Sequence, residues 1–159
     1  MVIFVLAILG AIAVPIMGGL KERAAKATCM TRMKKIYFAL DSYIKDVGHF
    51  PQQPKELVTG SDEQGLWEWW YVQLKDYGIG QQDWLCPVEE SAILKSGEKL
   101  EHASSYIPTN FDSGRITPYR WNQPWLMERA DFHGKGNHMI MPDGSLQHAP
   151  TELSDLTGS

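Results

Sequence analysis

The side chains best suited to chemistry lie late in the chain. His133 and Asp143 bracket the run HGKGNHMIMPDG, with His102, His138 and His148 in reserve. A histidine and a carboxylate can share acid–base work, and several histidines can hold a metal. The metal reading needs three or four convergent donors, yet His138 falls within a strand-like segment and no H-E-x-x-H spacing occurs. A structural role is simpler: His133 hydrogen-bonds across a hairpin to the Asp143 turn or to a backbone carbonyl. Cys29 and Cys86 are the two cysteines. Without a CxxC pair they do not complete a four-ligand set, so they read either as two buried thiols or, outside the cytoplasm, as a disulfide tying the first helix to the head domain. The chain has no nucleophile elbow, Walker loop or dinucleotide fingerprint, and Gly134-Lys135-Gly136 is too short to cradle a phosphate. These residues do not read as an enzyme. A second cluster, Trp67, Trp69, Trp70, Tyr71 and Leu74, serves either as a platform for carbohydrate or a partner, or as core packed on a helix.

The elements that position these groups start with the first fifty residues. Val2 to Leu20, VIFVLAILGAIAVPIMGGL, carries no charge and is long enough to cross a bilayer. From Lys21 to Val47, Cys29, Met33, Ile36, Leu40, Ile44 and Val47 recur at steps of three and four, which is the stripe of an amphipathic helix. Between the halves only Pro15 interrupts, and it is expected to bend the rod rather than end it. Gly48 is the expected stop. The rod would span roughly 70 Å, too long to lie on one small core, so part of it projects.

Beyond the rod, Gln52 to Gly65 reads as a loop with one turn at Glu56 to Thr59, and Leu66 to Tyr77 as a helix or a strand, its period being ambiguous. Ser91 to Leu100 reads as an exposed loop. Strands are expected at Ser104 to Ile107, at Asn137 to Met141 and at Ser145 to His148, with an extended piece at Arg115 to Tyr119 and an aromatic stretch at Trp121 to Met127. Asp143-Gly144 between the last two strands is a hairpin signal, because glycine accepts the positive φ the turn needs. The tail from Thr151 to Ser159 is polar and expected to be loosely held. The fold class is therefore α+β: a long N-terminal helix packed on a small antiparallel sheet with long loops. The divisions are 1–20, an apolar membrane or filament-core segment; 21–47, its amphipathic continuation; and 48–159, a head ending in a hairpin.

The formal net charge is −4, which excludes a general nucleic-acid-coating role. Basic residues gather at Lys21, Arg23, Lys26, Arg32, Lys34 and Lys35, directly after the apolar run. Such residues normally hold their side of a span in the cytoplasm, so an external head implies a more basic leader ahead of Met1 that outweighs them.

Several stretches together resemble one family. The apolar run through Ala13-Val14-Pro15, the basic alanine-rich segment, Cys29 in Ala-Thr-Cys-Met, and KKIYFALDSYIKDVGHFP from Lys34 to Pro51 resemble the N-terminal helix of type IV pilin-like proteins, nearest to the pseudopilins of type II secretion systems. Cys86-Pro87 resembles a Cys-Pro element, and His133 to Asp143-Gly144 fits the H-x9-D-G signature of a pilin-like subgroup. The family's short leader ending in glycine, its N-methylated first residue and its early glutamate are not visible here, so the start reads as truncated and processing is inferred.

The resemblance implies a structural subunit that polymerises with identical copies into a helical filament, a pilus or a secretion pseudopilus, handled by the corresponding assembly machinery. The subunit would sit in the inner membrane by a single span before assembly, then in a periplasmic or extracellular filament. Its filament-core residues would be Val2, Ile3, Phe4, Leu6, Ile8, Leu9, Ile12, Val14, Pro15, Ile16 and Leu20. Calcium, which the major pseudopilins hold in a C-terminal loop, would draw on Asp112, Asp131 and Asp143. The alternative is a membrane-anchored extracytoplasmic binding module that uses its aromatic-rich head.

Overall fold

The computed structural model describes the backbone of residues 2–59, 62–97, 103–114, 117–120, 123–134 and 136–149, with side chains from residue 19 onward except 58, 59, 117 and 120. His102, Trp121 and the tail from Thr151 therefore lie outside the described residues. The fold is α+β, with one long N-terminal helix and one four-stranded antiparallel sheet.

Helix α1, Val2–Val47, is a single unbroken helix through Pro15. It stops where the sequence says it should: Gly48 is left-handed and its N–H donates to the Ile44 carbonyl at 2.8 Å. The side-chain surroundings of the apolar run up to residue 18 lie outside the described residues. Among the described residues no helix is long and apolar enough to cross a membrane.

The stripe is Cys29, Met33, Ile36, Leu40 and Ile44, all buried, with Ala39 beside them. Val47 departs from it at 44% exposed. From Gly19 to Thr28 no side chain is buried. The head first touches the rod at Lys26, whose Nζ lies 3.5 Å from His148 Nε2, and buries it from Cys29 onward.

Short helices cover one side of this stripe. α2 is Lys55–Thr59 and α3 is Glu63–Leu74. The period left open by the sequence is settled as helical, because Trp67, Trp70 and Leu74 are the buried positions of α3, spaced three and four apart. Asp62 caps α3 by accepting the Gly65 N–H at 2.8 Å. 3₁₀ turns at Lys75–Tyr77 and Gln81–Trp84 lead to α4, Pro87–Ser96.

The α4 segment corrects the expected loop from Ser91. Pro87 opens the helix, Glu89 and Glu90 occupy its first turn, Lys95 its last, and Gly97 ends it. These end signals were present, but no apolar stripe drew attention to them, and α4 contains no buried residue. Part of the expected extended piece at Arg115 to Tyr119 is instead one helical turn, α5, Thr117–Arg120.

The sheet is a meander in the order β1, Tyr106–Pro108; β2, Leu126–Glu128; β3, Asn137–Ile140; β4, Leu146–Ala149. Alternation along the strands turns Tyr106, Leu126, Glu128, His138 and Ile140 inward. Register places Tyr106 opposite Glu128, Leu126 opposite Ile140 and His138 opposite His148. Trp125 fills the space between the sheet and the rod, its ring 4.9 Å from Tyr37 and 5.7 Å from Phe50.

Candidate functional site

Most aromatic residues of the head have an answer in packing. Trp67, Trp70, Trp84 and Trp125 belong to the same buried cluster as Met33, Ile36 and Leu40, and Trp69 and Tyr71 pack against it. Burying such rings removes the largest single apolar areas the chain possesses from water. A cavity of about 170 Å³ remains at their edge, lined in part by Trp67, Trp70, Trp84, Tyr106 and Arg129.

The H-x9-D-G segment is pinned at its two ends to two separate points. At its far end Asp143 and Gly144 turn the β3–β4 hairpin: Ser145 N–H donates to Asp143 Oδ1 at 2.9 Å, and Gly144 N–H donates to the Met141 carbonyl at 2.9 Å. The Ser145 hydroxyl and then its backbone N–H hold the Asp143 carboxyl below the usual carboxylate range. This turn rests on α1, since Tyr37 donates its hydroxyl to the Pro142 carbonyl at 2.9 Å.

At the near end, His133 is buried with its Nε2 3.5 Å from Cys86 Sγ. His133 and Asp143 are therefore not bonded partners, which corrects the expected bond across the hairpin. Asp143 is used locally, and the ring turns inward because the Asp131 carboxylate, accepting the N–H of His133 at 3.2 Å and of Gly136 at 2.9 Å, folds the β2–β3 connection back on itself.

Around His133 lies a cluster of buried polar groups that no sequence spacing announced. Cys29 comes from α1, Cys86 caps α4, Glu128 ends β2 and His138 lies in β3. Cys29 Sγ is 3.0 Å from Glu128 Oε1 and 3.0 Å from the Tyr106 hydroxyl. Glu128 Oε2 accepts both the backbone N–H of His138 and a contact to its Nδ1, each at 2.7 Å. The rings of His138 and His148 lie 3.9 Å apart. Cys86 is held by its N–H donating to Ser105 Oγ at 2.6 Å, and that hydroxyl donates in turn to Glu89, which also receives Arg129. Arg32 braces the same corner through the Leu85 carbonyl at 2.6 Å and Glu90 at 2.9 Å.

The electrostatics follow from position. Donation to Cys86 and burial push the Cys29 thiol far up, with Glu128 beside it adding to the effect. Cys86 is lowered, first by accepting from Cys29 and then by the backbone N–H groups of Val88 and Glu89 at the start of α4, against the opposing effect of burial. Burial holds the His133 imidazole below its ordinary value.

Both cysteines are free thiols in this structure. Cys29 Sγ, Cys86 Sγ and a nitrogen of His133 lie within 4.8 Å of one another, and they form the one group of three potential metal ligands among the described residues. Asp112, Asp131 and Asp143, the carboxylates considered for calcium, do not converge. Asp112 accepts the Gly114 N–H at 2.8 Å, and each of the three closes its own turn.

No protein-family model matches the chain, and no curated protein or solved structure matches it either.

Proposed function

We propose that this chain is the structural subunit of a type IV pilus-like or type II secretion pseudopilus filament, polymerising through its N-terminal helix. The observation that carries this reading is the mismatch between rod and head. α1 runs 46 residues, and the first buried side chain among its described residues is Cys29. Leu20, at 58% exposure, is the last residue of an uncharged apolar run.

Leaving such a run in water costs roughly 25 cal/mol for each Å² of apolar surface, so it must be covered. Lipid does this before assembly. Sister rods related by a screw axis do it afterwards, since a heterologous contact that does not close on itself extends into a fibre. The firm anchorage of the lower half of α1 by Met33, Ile36, Leu40 and Ile44 suits a subunit whose rod transmits load to its head. The subunit is then single-pass in the inner membrane before it enters a periplasmic or extracellular filament, with the assembly machinery as its other partner.

A second reading, an anchored binding module, draws on the cavity beside Trp84, whose buried indole N–H has no partner among the described residues. One experiment separates the two. Ile12→Asp places a charge in the run, at a cost of about 3 kcal/mol in a bilayer centre. It should abolish filaments seen by negative-stain electron microscopy of cells expressing the assembly system, while the head keeps its unfolding midpoint. Normal filaments from this variant would overturn the proposal. An absence of filaments from the unaltered chain, together with saturable oligosaccharide binding, would favour the module.

A further inference from the structure

The buried polar cluster contains a ligand set that neither the rod nor the head has by itself. Cys29 is supplied by α1, Cys86 by the start of α4 and His133 by the β2–β3 connection, and all three are buried. Two sulfurs and an imidazole nitrogen are a soft to borderline donor set, which favours zinc over calcium or magnesium.

The spacing is also appropriate. Zinc bonds of about 2.3 Å to sulfur and about 2.0 Å to nitrogen or oxygen put neighbouring ligand atoms of a tetrahedron roughly 3.3–3.8 Å apart. Cys86 Sγ to His133 Nε2, at 3.5 Å, fits a sulfur–nitrogen pair, whereas His133 Nε2 to Glu128 Oε1, at 3.8 Å, must close by about 0.5 Å to the nitrogen–oxygen value. Cys29 Sγ to Glu128 Oε1, at 3.0 Å, must lengthen by about 0.5 Å, and the two sulfurs and His133 nitrogen lie within 4.8 Å of one another.

Glu128 supplies an independent pointer. Its side chain is fully buried, and among the described residues its contacts are the Cys29 thiol, the backbone N–H and ring of His138 and the His133 ring, with no lysine or arginine bonded to it. A buried carboxyl is held by donated hydrogen bonds and by a positive partner, and a metal ion beside Oε1 would be such a partner. His138 holds Oε2 and leaves Oε1 facing the sulfur and the imidazole, the arrangement by which an outer partner orients a ligating carboxylate.

We propose that Cys29, Cys86 and His133 bind one zinc ion, with Glu128 on the fourth side, and that the ion locks the N-terminal helix to the head. All ligands come from the protein and the site is closed, so its role is structural rather than catalytic. Binding displaces the thiol protons to solvent and leaves two thiolates on the metal. The proposal stands whether or not the chain forms filaments. It excludes a Cys29–Cys86 disulfide in the same molecule, since that bond would consume both sulfur ligands.

The test uses the full chain purified in detergent with a thiol-free reductant and dialysed against metal-free buffer. Elemental analysis should find about one zinc per chain. Replacing zinc with cobalt(II) should give thiolate-to-cobalt charge-transfer bands and the visible bands of a tetrahedral site, both bleached by one equivalent of added zinc. Cys86→Ser, which removes one of the two thiolates, should remove about half of the charge-transfer intensity, and His133→Ala should shift the visible bands. Should these variants fail to fold, the spectra and stoichiometry of the unaltered chain decide the matter. A chain that retains less than about a tenth of a zinc and gives no cobalt bands overturns the proposal, whether its thiols are free to Ellman's reagent or its mass is about 2 Da lower through a disulfide.

Discussion

Replacing Gly144 by alanine tests the docking of the hairpin turn on the rod. Gly144 has φ +78°, and a Cβ built there would lie 3.2 Å and 3.3 Å from two ring carbons of Tyr37. Two costs add. The left-handed backbone costs a residue with a Cβ about 1–2 kcal/mol. The ring contact is several tenths of an ångström inside the optimum of about 3.5–4.0 Å for carbon pairs, so Tyr37 must shift. A shift weakens the bond from its hydroxyl to the Pro142 carbonyl, worth about 1 kcal/mol.

Gly144→Ala should therefore lower stability by about 2–3 kcal/mol. Gly78 is the matched control: its φ is +81° and nothing lies within 4 Å of a built Cβ. Gly78→Ala should cost only the backbone part, about 1–2 kcal/mol. The difference is attributable to the ring, and a double-mutant cycle with Tyr37→Ala isolates it. In the Tyr37→Ala background, Gly144→Ala should cost about 1 kcal/mol less than in the unaltered chain. Urea unfolding followed by tryptophan fluorescence gives each midpoint, and linear extrapolation converts it to free energy. Equal costs at Gly144 and Gly78, with no coupling to Tyr37, would refute the claim that this turn is seated on the helix.

Two further outcomes concern the core and the histidines. Ile36 is fully buried in the seam between rod and head, so Ile36→Ala should cost about 2–5 kcal/mol by urea unfolding, whereas Phe38→Ala, at a ring 62% exposed, should stay within about 0.5 kcal/mol; similar costs at the two would contradict the assigned face. The His133 imidazole, depressed mainly by burial, is also raised by Glu128 and Asp131 and lowered by His138 and Lys26. As pH falls below about 6.5 the unfolded chain takes up this proton before the folded one. Stability contributed by the neutral ring is complete above that pH and declines below it, so the melting midpoint in excess chelator should fall as pH drops from the ordinary histidine value, and a midpoint that rises there would reverse the sign.

Much of the architecture was determined locally and is legible in the chain. The stripe from Cys29 to Ile44 has helical spacing because the buried face of any helix recurs at that period, and Gly48 ends it because a glycine accepts the left-handed φ. Asp143-Gly144 makes its hairpin for the same local reason, with β3 and β4 within a residue of the expected ends. Helix α4 is a different case. Its end signals were in the sequence, but it buries none of its own residues, so no periodic stripe marked it.

The cluster of Cys29, Cys86, His133 and Glu128 was decided by tertiary structure alone. Its members stand far apart in the chain, and no local rule relates their spacing; they meet because the Pro87 helix, the β2–β3 connection and the inward face of β2 all converge on one turn of α1. The same holds for the separation of His133 from Asp143. A motif shows that two residues recur together, but only the packed backbone decides that one turns into the core against a thiol while the other stays at the surface to close a turn.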